Sequence, residues 1–166
     1  MALSSNGQGP GLARRFSWRD PRGLPGDRSG AQAVEFALIA PLLIMLIMGT
    51  VQFSIALNNY IELTEAVRTG GRTLAISRAM ASATPYSTAV SNIKSSAGNL
   101  TPAHISITMS VNGTACATDS ACSTALSAAA GQTASVSATY PCNLTVIGFN
   151  FVPHCTLSSQ TSDLVE

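Results

Sequence analysis

Charge is scarce in this chain: only 10% of its 166 residues are Asp, Glu, Lys or Arg, and residues 80–166 hold just Lys94, Asp119, Asp163 and Glu166. Aromatic residues make up 5%, and no C-x-x-C or H-x-x-x-H spacing occurs anywhere. Each shortage excludes a class of function. There are too few carboxylates for paired acid/base work, no Ser/His/Asp or Cys/His arrangement at recognisable spacing and no glycine-rich phosphate loop, so no catalytic constellation is visible. The basic residues cluster before residue 30 and between Arg68 and Arg78, which does not support nucleic-acid binding. His104 and His154 lack the spacing of a zinc site. No enzymatic activity, metal or cofactor is expected.

No charged side chain stands between Glu35 and Glu62. Within this stretch, Phe36–Leu57 is a run of 22 apolar or weakly polar residues. As a helix this run extends roughly 33 Å at about 1.5 Å per residue, enough to cross a hydrocarbon core of roughly 30 Å. No second run of this length follows, so a single pass is expected. Arg14, Arg15, Arg19, Arg22 and Arg28 precede it against Asp20 and Asp27, which orients the short leading segment to the cytoplasm and the bulk of the chain to the outer face. A removable secretory signal fits poorly: the apolar region is too long, and its best small-x-small step, Ser54-Ile55-Ala56, lies inside the hydrophobic pattern. Arg14-Arg15 has some likeness to a twin-arginine export signal but stands far from the apolar core, where arginines already have a topological role. Glu35 is the anomaly. A carboxylate at the rim of a bilayer core is expensive to desolvate and marks function or a specific partner.

Residues 1–30 are rich in Gly, Pro, Ser and Arg without apolar periodicity, and disorder is expected there. Beyond Leu57 the helical pattern continues. Ile61, Thr64, Val67, Gly71 and Leu74 recur at spacings of three or four, while Glu62, Glu65, Arg68, Arg72 and Arg78 fall on other faces. Gly70-Gly71 allows either a bend or the close approach of a neighbouring helix. From residue 80 the composition turns to Ser, Thr, Ala and Asn. Residues 82–97 can form a short second helix, which Pro85 and the Ser/Thr content oppose. Strand alternation with apolar odd positions runs over His104–Val111, and the same period of two returns over Thr133–Tyr140. Leu144–Val152, bracketed by Pro141 and Pro153, reads as a strand, an edge hairpin or a surface loop touching lipid. The fold class is therefore α+β: one N-terminal transmembrane helix extending into a small, antiparallel β-containing domain. Three regions are expected: a basic leader over 1–30, the helix and its extension over 31–79, and a Ser/Thr/Ala-rich domain over 80–166.

Cys116, Cys122, Cys142 and Cys155 all lie beyond the span, an even number suited to an oxidising compartment. Three pairings are formally open, and Cys116–Cys122 with Cys142–Cys155, which close short loops, is preferred. The Asn-x-Thr triplets at Asn99, Asn112 and Asn143 are chance matches in so threonine-rich a chain. Met45, Met48, Leu42, Leu46 and Phe53 read as lipid-facing or packing groups, and Gly49 as a helix contact point.

Arg28-Ser-Gly-Ala-Gln-Ala-Val-Glu-Phe-Ala-Leu-Ile-Ala-Pro-Leu-Leu43, then Gly49-Thr-Val-Gln-Phe53 and Ala66-Val-Arg-Thr-Gly-Gly-Arg72, resembles the TadE-like family, pseudopilins of the tight-adherence (Flp) pilus system. The resemblance covers roughly residues 28–78. It implies cutting by a prepilin peptidase between Gly30 and Ala31, which makes Glu35 the fifth residue of the mature chain. Ala31 stands where mature type IV pilins commonly carry an aromatic residue. The new α-amino group would pair with the Glu35 carboxylate of the same or a neighbouring subunit, offsetting the desolvation of both charges. Glu35, Phe36 and Pro41 are the expected assembly residues; Pro41 removes the hydrogen bond to the Ala37 carbonyl and permits a kink or opened turn. The implied role is that of a non-catalytic pseudopilin or minor pilus subunit, with inner-membrane lipid, other pilus subunits, the assembly platform and the peptidase as partners. The implied location is the bacterial inner membrane, with the N-terminus cytoplasmic and the C-terminal domain periplasmic, or on the pilus itself. The other reading is a membrane-anchored periplasmic scaffold or binding protein that never enters a pilus.

Overall fold

The computed structural model describes residues 28–81, 83–146 and 148–166. The expected disordered leader, with its four arginines at 14, 15, 19 and 22, lies outside the described residues over 1–27. The chain divides into two compact units, 1–40 and 41–166. The described part of the first unit is the opening of helix α1, which spans Arg28–Ile76. In the second unit α1 is followed by α2 (Pro85–Ser96), a 3₁₀ turn (Pro102–His104), β1 (Ser106–Val111), β2 (Thr114–Ala115), α3 (Asp119–Ser127), β3 (Thr133–Pro141), β4 (Thr145–Val146), β5 (Phe149–Asn150) and β6 (Thr156–Leu164).

Strands β2-β1-β3-β6 form one antiparallel sheet in that order, and β4-β5 form a separate two-stranded ribbon. The α+β class expected from the sequence is what the chain adopts. The register aligns Met109 with Val136 and Thr161, and Val111 with Ala134 and Asp163, so one sheet face carries Met109, Val111, Ala134 and Val136 into the core. The opposite face is hydroxyl-rich, with Ser135 and Ser162 sharing a hydrogen bond of 2.8 Å across β3 and β6. Alternation over 104–111 and 133–140 thus correctly marked β1 and β3.

The core is closed by the distal part of α1. Leu63, Ala66, Val67 and Leu74 are fully buried together with Ile93 of α2, Leu126 of α3 and the apolar face of the sheet. Ile61, expected on this face, remains exposed, and the first buried residue of the helix is Leu63, two positions on. The helix runs uninterrupted through Gly70 and Gly71, so a close approach and not a bend explains them, and the approaching elements belong to the same chain. A Cβ on Gly70 would collide with the Ile93 side chain, and one on Gly71 with Thr161 and with Asp163 Oδ2 at 2.8 Å. Asn92 Nδ2 donates to Thr73 Oγ1 at 3.1 Å beside this contact. At the chain's other end, Glu166 N donates to the Ala75 carbonyl and Arg78 Nη1 to the Glu166 carbonyl, each at 3.3 Å.

Two elements escaped the periodicity. Strand β6 turns Leu157, Ser159, Thr161 and Asp163 toward α1, a mostly polar face with no hydrophobic alternation to read. Helix α3 is nine residues of small side chains, marked only by its Thr118 cap, whose Oγ1 accepts from Ala121 N at 3.3 Å. The hairpin joining β1 to β2 did carry a signal, Asn112-Gly113, with φ of 48° and 75° as a type I′ turn requires. Pro85, which in the sequence opposes a helix here, instead opens α2, since the missing N–H of a first-turn residue has no intrahelical partner in any case.

The cysteines pair as Cys116–Cys122 and Cys142–Cys155. Asp119, at the start of α3, also caps α2: Ser87 N donates to Oδ1 at 2.8 Å and Ser87 Oγ to Oδ2 at 2.9 Å. The backbone hydrogen bond from Ser87, with help from the Ser87 hydroxyl, holds the Asp119 carboxyl below its ordinary value despite some desolvation. A depressed folded-state pKa contributes stability that is present above the unfolded value near 4 and is lost as pH falls through the folded one.

Two outcomes follow for the detergent-solubilised chain in denaturation experiments. Gly70→Ala should lower stability by about 1–3 kcal/mol through overpacking against Ile93, whereas Gly49→Ala, where a Cβ meets nothing within 4 Å, should not destabilise. Between pH 5 and pH 2 the wild type should lose stability more steeply than Asp119→Asn; parallel profiles would show that this cap contributes nothing.

Candidate assembly site

Glu35 lies in the second turn of α1, with Gly30 and Ala31 in the first and Pro41 further along. The backbone from residue 28 is helical, so the Gly30–Ala31 peptide bond lies within the first turn, where amide groups have no intrahelical acceptors. Gly30, Ala31, Val34, Glu35 and Phe36 are all exposed, and a Cβ on Gly30 would meet nothing within 4 Å. Glu35 makes no hydrogen bond or ion pair with another described residue. Helix assignment continues through Pro41, with neither 3₁₀ nor turn backbone around it.

Large apolar side chains stand exposed from Val34 to Ile61 on every side of the helix, and no residue from Gly30 to Ile61 is buried. Leaving one such side chain in water forgoes about 1.5–3 kcal/mol. Summed over this stretch, the forfeited stabilisation is on the order of tens of kcal/mol, more than the roughly 5–15 kcal/mol that holds a domain folded. The helix is long and apolar enough to cross a membrane. A core helix of a water-soluble domain would have buried one face, as α1 itself does from Leu63 onward.

The charge-free stretch ends at Glu62, which the sequence places off the apolar face. Its Oε2 accepts from Asn99 N at 3.0 Å, and its Oε1 accepts from Asn99 Nδ2 and from Asn58 Nδ2, the latter at 3.3 Å. Glu62 therefore ties the segment after α2 to α1 where the buried face begins. An asparagine 37 residues away is not visible as a partner in sequence. Glu65 and Arg68 form the expected i,i+3 pair at 2.9 Å, with both side chains more than 60% exposed, and such a pair contributes little. His104 lies 6.5 Å from the Tyr140 ring, centroid to centroid, and no group of three or more His, Cys, Asp or Glu among the described residues could hold a metal.

The arrangement offers association chemistry. An exposed carboxylate stands near the head of a helix that is apolar all round, so a cation presented at the same depth would be its natural counter-charge. Compared with known families, the chain matches over residues 30–72 the model described as TadE-like protein. That interval opens at Gly30 and contains Glu35, Phe36, Pro41, Glu62 and the Gly70-Gly71 pair. It bears out the resemblance read from the sequence over the helix. No curated protein and no solved structure matches the chain.

Glu62→Ala should lower stability by about 0.5–1.5 kcal/mol by removing the hydrogen bonds that Asn99 donates to it, while leaving membrane fractionation unchanged. Unaltered denaturation midpoints would show that the Asn99 contacts are not maintained in solution.

Proposed function

We infer that this chain, whose residues 30–72 form a TadE-like segment, is a non-catalytic pseudopilin or minor structural subunit of a tight-adherence pilus or related secretion apparatus. The observation that carries this reading is the exposed Glu35 at the head of a helix exposed and apolar on all sides, within a family match that opens at Gly30. In this reading the chain is inserted once in the bacterial inner membrane. Its arginine-rich leader is cytoplasmic, and its disulfide-bonded domain occupies the periplasm, where such bonds persist.

Processing would hydrolyse the Gly30–Ala31 bond: water adds across the peptide, leaving a carboxylate on Gly30 and an ammonium on Ala31. A peptidase needs extended backbone at its cleavage point, so the first turn of α1 must unwind. Glycine and the unsatisfied amides of a helix start make that turn the weakest of the helix. Re-formed from Ala31, the mature helix would place its ammonium about 6 Å along the axis from Glu35, four residues at 1.5 Å each. Within one subunit, or between neighbours stacked with an axial offset, each charge would replace the other's lost hydration. Pro41 and Phe36 would shape and cover this contact. Other pilus subunits and the assembly platform are the partners, with surrounding lipid before assembly.

The reading is tested by intact-mass analysis of the protein from native membranes together with pilus yield. The mature chain should begin at Ala31. Glu35→Ala should insert normally but reduce incorporation into fibres by about tenfold or more, as expected for a low-dielectric charge left unpaired. Normal fibres from Glu35→Ala, with the leader still attached, would favour the membrane-anchored scaffold instead.

A further inference from the structure

The disulfide Cys142–Cys155 closes a loop whose tip is the β4-β5 ribbon. Residues 142–155 contain no Asp, Glu, Lys or Arg. Phe149 and Phe151 are 72% and 60% exposed, with Val152 exposed beside them; among the described residues beyond Ile61 the other exposed large apolar side chains, Met80 and Leu164, stand apart from this cluster in the sequence. Leu144, Val146 and Phe151 line a crevice of about 280 Å³ whose other wall is Met45, Gly49, Gln52 and Phe53 of α1. The loop thus flanks the fully exposed, apolar part of the helix, not the part that closes the core.

We propose that this loop enters the outer leaflet and seats Phe149 and Phe151 at the boundary between headgroups and acyl chains. The proposal rests on α1 being a membrane span. If the hydrocarbon core begins at Phe36, where the charge-free run starts, only about 20 Å of helix has passed by Gly49, and roughly 10 Å of a 30 Å core remains. The crevice therefore runs from about the midplane, at Met45, to within about 5 Å of the outer edge of the core, at Phe53, so its outer half lies within the roughly 5–10 Å by which interfacial elements penetrate. Lipid contact requires backbone groups to be satisfied internally, and beside the β4-β5 pairing four N–H groups of this loop have partners within it. Cys142 N donates to the Cys155 carbonyl at 3.0 Å, Phe151 N to the Leu144 carbonyl at 3.1 Å, Cys155 N to the Val152 carbonyl at 3.2 Å and Val152 N to Asn150 Oδ1 at 3.1 Å. The disulfide holds these bonds in place, and the aromatic side chains meet lipid without an ordering penalty for the loop. A membrane contact on the domain itself would fix its tilt against the bilayer, which one helix cannot do.

The test uses the full chain with Trp18→Phe as background, reconstituted in vesicles of three parts phosphatidylcholine to one part phosphatidylglycerol. Acyl chains are brominated near the headgroup or near mid-bilayer. Single tryptophans are placed by Phe149→Trp, Phe151→Trp, Leu43→Trp in the span and Ser158→Trp on the polar sheet face. Both loop tryptophans should lose about half of their emission with the shallow bromines and less with the deep ones, as an interfacial position requires. Leu43→Trp should be quenched most by the deep bromines and Ser158→Trp by neither. Quenching at Leu43→Trp but at neither loop position would overturn the proposal and leave the span intact, and disulfide capture between Phe151→Cys copies would then assign the loop to a neighbouring subunit. No quenching at Leu43→Trp would overturn the span and the loop insertion together.

Discussion

One helix in this molecule has to satisfy two solvents, and the remaining structure is arranged around the point where it changes from one to the other. Up to Ile61 α1 is apolar on every side and shields none of it; from Leu63 it is amphipathic and supplies the core of the domain that follows. The changeover is marked by Glu62, which takes hydrogen bonds from Asn58 and Asn99. A domain of few large side chains could not close a core alone, and it does so by packing on a helix already held elsewhere. Gly70 and Gly71 make the contact close enough for Ile93 and Thr161 to serve as the facing surface.

What was legible in the sequence follows from how each element is stabilised. The apolar run, β1 and β3 are specified by hydrophobic period, and their patterns survive in the fold. The pattern of β6 is invisible because its inward face is Ser159, Thr161 and Asp163, side chains tolerated there because glycine on α1 leaves them room. Helix α3 depends on a cap and a disulfide more than on an apolar stripe. The Asn112-Gly113 turn has a local signature, a dipeptide suited to positive φ at both positions. At the candidate site, the position and charge of Glu35 were evident from sequence, and the structure adds its exposure and the helical backbone around Gly30 and Ala31. The Glu62–Asn99 clamp depends on tertiary folding and had no local signature.

Function in the proposed account resides in the ends of the helix and in what each end lacks. At one end a carboxylate is presented to an apolar surrounding without a counter-charge among the described residues, a condition that favours association with a cation-bearing neighbour. At the other end a rigid domain carries an uncharged aromatic loop alongside the helix. The first feature suits stacking of like subunits, and the second suits holding the domain at the membrane surface before stacking. Neither calls for bond-making chemistry by the chain itself.

The proposed pairing of Glu35 with a neighbouring subunit's terminal ammonium is tested most directly by zero-length carbodiimide cross-linking in native membranes, followed by mass spectrometry of the peptides. The account predicts an amide joining the Ala31 α-nitrogen of one copy to the Glu35 side chain of another, absent in Glu35→Gln. Fibres in which the mature terminus is present and Glu35 is never captured by any amine would contradict it.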